Sequence, residues 1–219
     1  MTITQHPDDS TLVAYAAGAV IEGFSLVLAA HLEFCPICRK RMSELQALGG
    51  AMLMAESAMK PPTGGLDDIW ARIDEAENAQ PEPVVSPVVS DPVLPGVLLP
   101  MLDGGFDSIS WRRLAPGIGQ YQFKGVESGG GGVRLLSIEP GITIPQHSHA
   151  GGELTLVLQG AYRDEIGTFR RGDIADLDDS VTHRPMAERG PPCICLIATD
   201  RPLRFTSAID RMLQPIFGI

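Results

Sequence analysis

The side chains of this chain best suited to chemistry fall into three groups. The first is His31-Leu32-Glu33-Phe34-Cys35-Pro36-Ile37-Cys38, an H-x3-C-x2-C spacing. Two thiols and an imidazole so spaced share one side of consecutive helical turns or of a helix–helix corner. Pro36 favours the corner, because it disfavours helical geometry at Cys35 and suits the first turn of a new helix. His31 then ends one helix, Cys35 sits at the corner, and Cys38 lies in the first turn of the next. Three soft or borderline ligands there make most of a tetrahedral zinc site. The N-terminal segment holds one other histidine, His6, as a candidate fourth ligand. The plainer reading is a small buried core cluster. A thioredoxin-like redox pair would need a strand before the C-x2-C, and none is expected.

The second group is Gly141-x5-His147-x-His149-x3-Glu153-x6-Gly160, with Gly172-Asp173 and His183 further on. His147 and His149 alternate along a strand and so point to one face. Glu153 returns on the next strand, and His183 arrives from a non-local one. Three imidazoles and a carboxylate inside a barrel suit zinc, iron, manganese or nickel. The pattern resembles the two signature motifs of the cupin barrel. It departs from the second: no Pro stands two residues before Gly172, and no Asn follows His183. The third group is Cys193 and Cys195, two apart on an expected strand and so facing one side. They are a buried core pair or, on the sharper reading, a redox pair beside the barrel metal.

The elements that must position these groups divide the chain in two. Asp8 to Ser10 supply N-cap candidates for a first helix carrying Leu12, Tyr15, Ala16 and Ala19, closed by Gly18 and Gly23. A second helix runs from an N-cap at Ser25 to Phe34. A third starts at Pro36 and carries Met42, Leu45, Leu48 and Met52 on one face. After a Pro-Pro-Thr-Gly-Gly break at 61–65, Leu66 to Asn78 reads as a short acidic amphipathic helix. Leu66, Ile69, Trp70 and Ile73 share its apolar face. Trp70 packs on the helical bundle, the simpler reading, or meets another surface. Residues 80–96 are rich in Pro, Val and Ser and read as an extended linker. Beyond them the periodicity changes to short strands: Trp111–Leu114, Gly119–Lys124, Val133–Glu139, Leu154–Gln159, Ala161–Glu165, Ile174–Leu177, Cys193–Thr199 and Leu203–Phe205. Their density indicates a sandwich or barrel.

At 219 residues the chain has room for two domains, the helical one small enough to gain from a metal staple. The net charge of −10 argues against gripping nucleic acid phosphates and suits a basic, DNA-binding protein partner. Four cysteines in two close pairs are too few for a disulfide scaffold. No signal peptide and no run of about 18 uninterrupted apolar residues is evident. A reducing cytoplasm is the expected location.

Taken together, the two metal constellations and the Pro-rich linker resemble the ChrR family of zinc-binding anti-sigma factors. The likeness runs from the His6 segment through Gly190-x2-Cys193-x-Cys195-Leu196 to Pro202-Leu203-Arg204-Phe205. It implies a multidomain α + β chain. Residues 1–80 would be a zinc-stapled helical anti-sigma domain, 81–96 a linker, and 97–219 a cupin, a jelly-roll-like β-barrel. The resemblance assigns one zinc to His6, His31, Cys35 and Cys38. A second zinc, or another divalent metal, falls to His147, His149, Glu153 and His183. The implied partner is an extracytoplasmic-function-type sigma factor, bound 1:1 and released on an oxidative signal such as singlet oxygen or a peroxide-like species. The Leu66–Ile73 stripe then becomes a candidate sigma contact. On this reading the chain is a regulator and not an enzyme, with no direct contact to nucleic acid or membrane. The rival is a metal-dependent cupin oxygenase or isomerase with an accessory helical domain.

Overall fold

The computed structural model describes residues 2–56, 65–79, 91–102 and 104–205. Four helices come first: α1 (Asp9–Ala16), α2 (Glu22–Phe34), α3 (Pro36–Ala55) and α4 (Gly65–Ala79). The turn from α2 to α3 follows the sequence expectation. Cys35 is extended, with φ −101° and ψ 103°, and Pro36 opens α3. Arg39 Nη1 seals the corner by donating to the carbonyls of Leu32 (2.6 Å) and Glu33 (3.1 Å), at the end of α2. Those carbonyls have no partner within the helix.

The start of α2 differs from expectation. Its N-cap is Ile21, not Ser25, and the side chain makes no cap hydrogen bond. A loop of the β region does that work instead. Gly23 N donates to Glu127 O (2.9 Å), and Glu127 N donates back to Glu22 Oε2 (2.9 Å). Gly23 therefore belongs to the first turn of α2, where a Cβ would stand 2.8 Å from the Val133 side chain. Local capping chemistry cannot reveal a cap supplied from so far along the chain.

The β region has strands β1 (Arg112–Ala115), β2 (Ile118–Gln122), β3 (Gly132–Ile138), β4 (His147–His149), β5 (Glu153–Gln159) and β6 (Ala161–Arg163). They are followed by β7 (Thr168–Arg170), β8 (Ile174–Leu177), β9 (Thr182–His183), β10 (Met186–Ala187), β11 (Cys193–Thr199) and β12 (Leu203–Phe205). A six-stranded sheet runs β1-β2-β3-β11-β5-β8, and three-stranded sheets β10-β6-β7 and β12-β4-β9 complete the barrel. The pairings are antiparallel; β4 and β9 are the strands expected to bring in His147, His149 and His183, and β7 and β10 add to those expected from sequence.

The large sheet is apolar on both faces. One face, with Ile138, Val157, Cys193 and Cys195, fills the barrel with Tyr162 and Phe169. The other carries Leu135, Leu154, Leu156, Leu196 and Ala198, and α2 covers it with Val27, Leu28 and Ala30. Residues expected to form an extended linker share this layer. Val93 and Leu94 are buried, Asp91 Oδ1 accepts from both their amides, and Glu33 of α2 accepts from Gly96 N and Val97 N. An apolar pair in a Pro-rich stretch thus finds cover between helix and sheet. Residues 81–90 of that stretch lie outside the described residues.

Leu28 is fully buried in this shared layer. Leu28→Ala is expected to cost about 2–5 kcal/mol in urea unfolding. The helical and β signals should shift together, because one core serves both.

At the other extreme, α3 and α4 carry apolar side chains into solvent. Leu48, Met52, Leu53 and Met54 of α3 are exposed, so the expected buried face ends near Leu45. On α4, Leu66, Ile69, Trp70 and Ile73 are exposed, Trp70 by 55%. Trp70 is not packed on the bundle among the described residues, which corrects the simpler expectation.

Candidate metal centres

At the α2–α3 corner, one ligand atom each from His6, His31, Cys35 and Cys38 lies within 4.8 Å of the others. His6 Nδ1 is 3.4 Å from Cys35 Sγ and 3.3 Å from Cys38 Sγ. Tetrahedral bonds of about 2.0–2.3 Å require ligands roughly this close together. His31 Nδ1 donates to Gly172 O at 2.9 Å, which leaves Nε2, buried and without a hydrogen-bond partner, to face the cluster. An orphaned imidazole nitrogen beside two thiols fits a thiophilic divalent metal. Burial pushes the His31 pKa down to about 4, so the ring is neutral and able to ligate at neutral pH. Burial and the Cys35 sulfur push the Cys38 thiol up to about 12, so ligation there must displace a proton.

The β region reaches into this centre. Beyond the Gly172 carbonyl, Asp173 is 1% exposed, and its Oδ1 accepts from Thr4 N (2.7 Å) and Gln5 N (3.1 Å). Its Oδ2 accepts from Arg170 N (2.8 Å), and Ile174 N donates to Gln5 O (3.3 Å). The segment just before His6 is thus fastened to the β7–β8 turn. Gly172, at φ +86°, allows the approach, since a Cβ there would meet Ile3 at 2.8 Å. The Gly172-Asp173 pair was legible as a motif, but its link to the first centre was not. Asp173→Ala is expected to weaken metal retention at this centre about 10–100-fold in a chelator competition, as loss of outer-shell support does elsewhere.

The second centre lies inside the barrel. The Nε2 atoms of His147 and His183 are 3.1 Å apart, and those of His149 and His183 are 3.3 Å apart. Register explains the meeting: His147 stands opposite His183 across β4 and β9. His147 Nδ1 donates to Pro145 O (2.8 Å), and His183 Nδ1 to Asp164 Oδ2 (2.8 Å). Both bonds fix the tautomer whose Nε2 lone pair is turned toward the other imidazoles. Burial brings the His147 pKa down to about 4.

Glu153 stands beside the three imidazoles instead of among them. Its Oε1 accepts from the Thr155 hydroxyl (2.9 Å), and its Oε2 lies 3.4 Å from His149 Nδ1. Sequence reasoning missed Asp164 and Thr155. Asp164 carried a signal: its Oδ1 accepts from Ile166 N and Gly167 N, an Asx turn encoded in Asp164-Glu165-Ile166-Gly167.

Cys193 and Cys195 are buried, with sulfurs 3.6 Å apart on the barrel side of β11. The hydrogen bond with Cys193, together with burial, pushes the Cys195 thiol up. These are the properties of a core pair that reacts slowly with oxidants.

Among the described residues no helix is long and apolar enough to cross a membrane. A family model described as the ChrR cupin-like domain matches residues 104–201. The anti-sigma-E factor ChrR of Cereibacter sphaeroides is 42% identical over 220 residues, covering 100% of each chain. The crystal structure of Rhodobacter sphaeroides SigE in complex with the anti-sigma ChrR aligns at 37% identity with a TM-score of 0.75. That match covers 90% of this chain and 99% of the solved one. Identity of this order along the whole length places the four-ligand corner and the histidine-lined barrel in one lineage, and the chain belongs to the ChrR family.

Proposed function

We propose that this chain is an anti-sigma factor that binds an extracytoplasmic-function-type sigma factor 1:1 in the cytoplasm. Binding withholds the sigma factor from RNA polymerase until an oxidative signal releases it. The observation that carries the reading is the convergence of His6, His31, Cys35 and Cys38 at the corner of two helices that lead to exposed apolar side chains. Exposed apolar side chains on helices suit a partner that takes an amphipathic helix into a groove. The full-length relative named as an anti-sigma-E factor supports it, as does the solved relative bound to SigE. The division of labour is inhibition by residues 1–80 and sensing by the cupin, residues 97–219, with 81–96 between them.

Zinc is the metal proposed for the first centre, because two thiols and two imidazoles are its structural ligand set. When bound, zinc supplies the folding energy that fixes the corner. Zinc or another divalent cation is proposed for His147, His149 and His183, with Glu153 able to complete the set. In the first centre His31 is oriented by Gly172 O, and His6 is positioned by the Asp173-bound segment. A change in the cupin that moves the β7–β8 turn would therefore be felt at the helical corner. This gives sensing a physical route to the inhibitory helices.

A small neutral oxidant that enters the barrel is the one route by which the buried, protonated thiols Cys193 and Cys195 would serve as a redox pair. The test uses the purified complex of full-length chain and sigma factor, exposed to photogenerated singlet oxygen or to peroxide. The double substitution Cys193→Ser and Cys195→Ser is expected to keep sigma binding and slow its release. Unchanged release would remove the thiols from the mechanism. Failure of the unsubstituted chain to bind any such sigma factor would overturn the function itself. Turnover of a substrate by an iron- or manganese-loaded barrel would instead favour the oxygenase reading.

A further inference from the structure

The barrel holds a cavity of about 290 Å³, open at its mouth, next to the histidine triad. Its walls are largely apolar, with Leu136, Ile138, Ile142, Ile144 and Ile197 among them. The same wall carries the guanidinium of Arg134, in a residue only 6% exposed. Nη2 donates to Thr199 Oγ1 at 2.9 Å, but Nε is buried without an acceptor. No carboxylate among the described residues forms an ion pair with it. Arginine is almost never so deeply buried unless its charge is paired, because an unpaired buried charge carries a heavy desolvation cost. The charge of Glu153 supports the guanidinium at longer range, but it forms no ion pair with it, and its oxygens are engaged by Thr155 and lie against His149. The Tyr162 hydroxyl is a second buried polar group on this wall without a partner.

From an unpaired buried cation on the wall of an apolar cavity, we infer that the barrel binds a small aliphatic monoanion, a short-chain carboxylate, with its head on Arg134 and its tail among the isoleucines. One guanidinium balances a single negative charge, and a carboxylate that meets it gains a charge-assisted hydrogen bond. The cavity stands at the small end of ligand pockets, which limits the tail to a short one. The inference does not depend on the sigma-binding proposal, nor on which metal the triad holds.

The test is calorimetric titration of the full-length, metal-loaded chain with hexanoate, hexan-1-ol and hexylammonium as probes. Hexanoate is expected to bind 1:1, with the alcohol and the amine weaker by about tenfold or more, as for a lost charge-assisted hydrogen bond. Arg134→Met should weaken hexanoate by a similar factor. Ile144→Phe, which fills the cavity and leaves Arg134 in place, should also weaken it. Equal binding of hexanoate and hexan-1-ol would overturn the inference, as would absence of hexanoate binding. So would full hexanoate binding by folded Arg134→Met, which would place the head on the metal triad. Should Arg134→Met fail to fold, the three probes on the unsubstituted chain and on Ile144→Phe decide.

Discussion

Cys35→Ala is expected to remove one metal per chain and to weaken sigma binding at least 100-fold. Cys35 is both a proposed ligand and the turning point of the α2–α3 corner: its backbone is extended, its sulfur lies 3.4 Å from His6 Nδ1, and Cys38 N donates to it. The small core around the corner holds Leu12, Met42 and the two cysteines, too little apolar surface to fix the angle between the helices without the metal. In zinc-finger peptides structural zinc contributes about 10–16 kcal/mol of folding free energy, so loss of a ligand should unlatch the corner altogether. Elemental analysis and a sigma-binding titration check this. His183→Ala is the matched control: it should empty the second centre and leave sigma affinity within about threefold, since its imidazole lies inside the barrel and not on the exposed helical faces proposed to bind sigma. Equal loss from both substitutions would mean that the two centres do not divide the work as proposed.

Trp70→Ala is expected to weaken sigma binding by about 30-fold or more, the size of a hot-spot loss near 2 kcal/mol, with no measurable change in thermal stability. The second half follows from exposure, since Trp70 is 55% exposed and lies in no buried core cluster among the described residues. The first half rests on its neighbours. Leu66, Ile69 and Ile73 present their apolar groups on the same face of an acidic helix, an arrangement that solvent alone does not favour. A drop in melting temperature without a drop in affinity would assign Trp70 to the fold and not to the partner.

Much of the architecture could be read from residue types because local chemistry dictates it. Pro36 sets the corner through its own ring, and H-x3-C-x2-C then needs only helical geometry to converge. H-x-H alternation on β4 and the apolar runs of β3, β5 and β11 follow from the period of a strand. What the sequence did not disclose depends on contacts between segments far apart. Ser25 has the side chain of a cap, yet α2 begins at Glu22 because the Glu127 loop supplies the partners. Val93 and Leu94 sit among prolines and read as linker, yet α2 and the sheet cover them. The Asp173 bonds to Thr4 and Gln5, and the Asp164 bond to His183, join elements whose proximity no periodicity encodes. Arg134 on β3 was equally silent, since one arginine in a strand gives no sign that it faces the interior of a barrel. Trp70 illustrates the opposite error. Its apolar area invited a packing partner within the chain, and the described residues provide none.

The most direct test of the account is a titration of an extracytoplasmic-function-type sigma factor from the same organism with the full-length chain, once zinc-loaded and once stripped by chelator. The account predicts a 1:1 complex with the zinc-loaded chain and at least 100-fold weaker binding by the stripped one, restored by adding zinc back. Equal affinity of the two forms would contradict the metal-stapled corner as the inhibitory element. No complex with either would contradict the anti-sigma function.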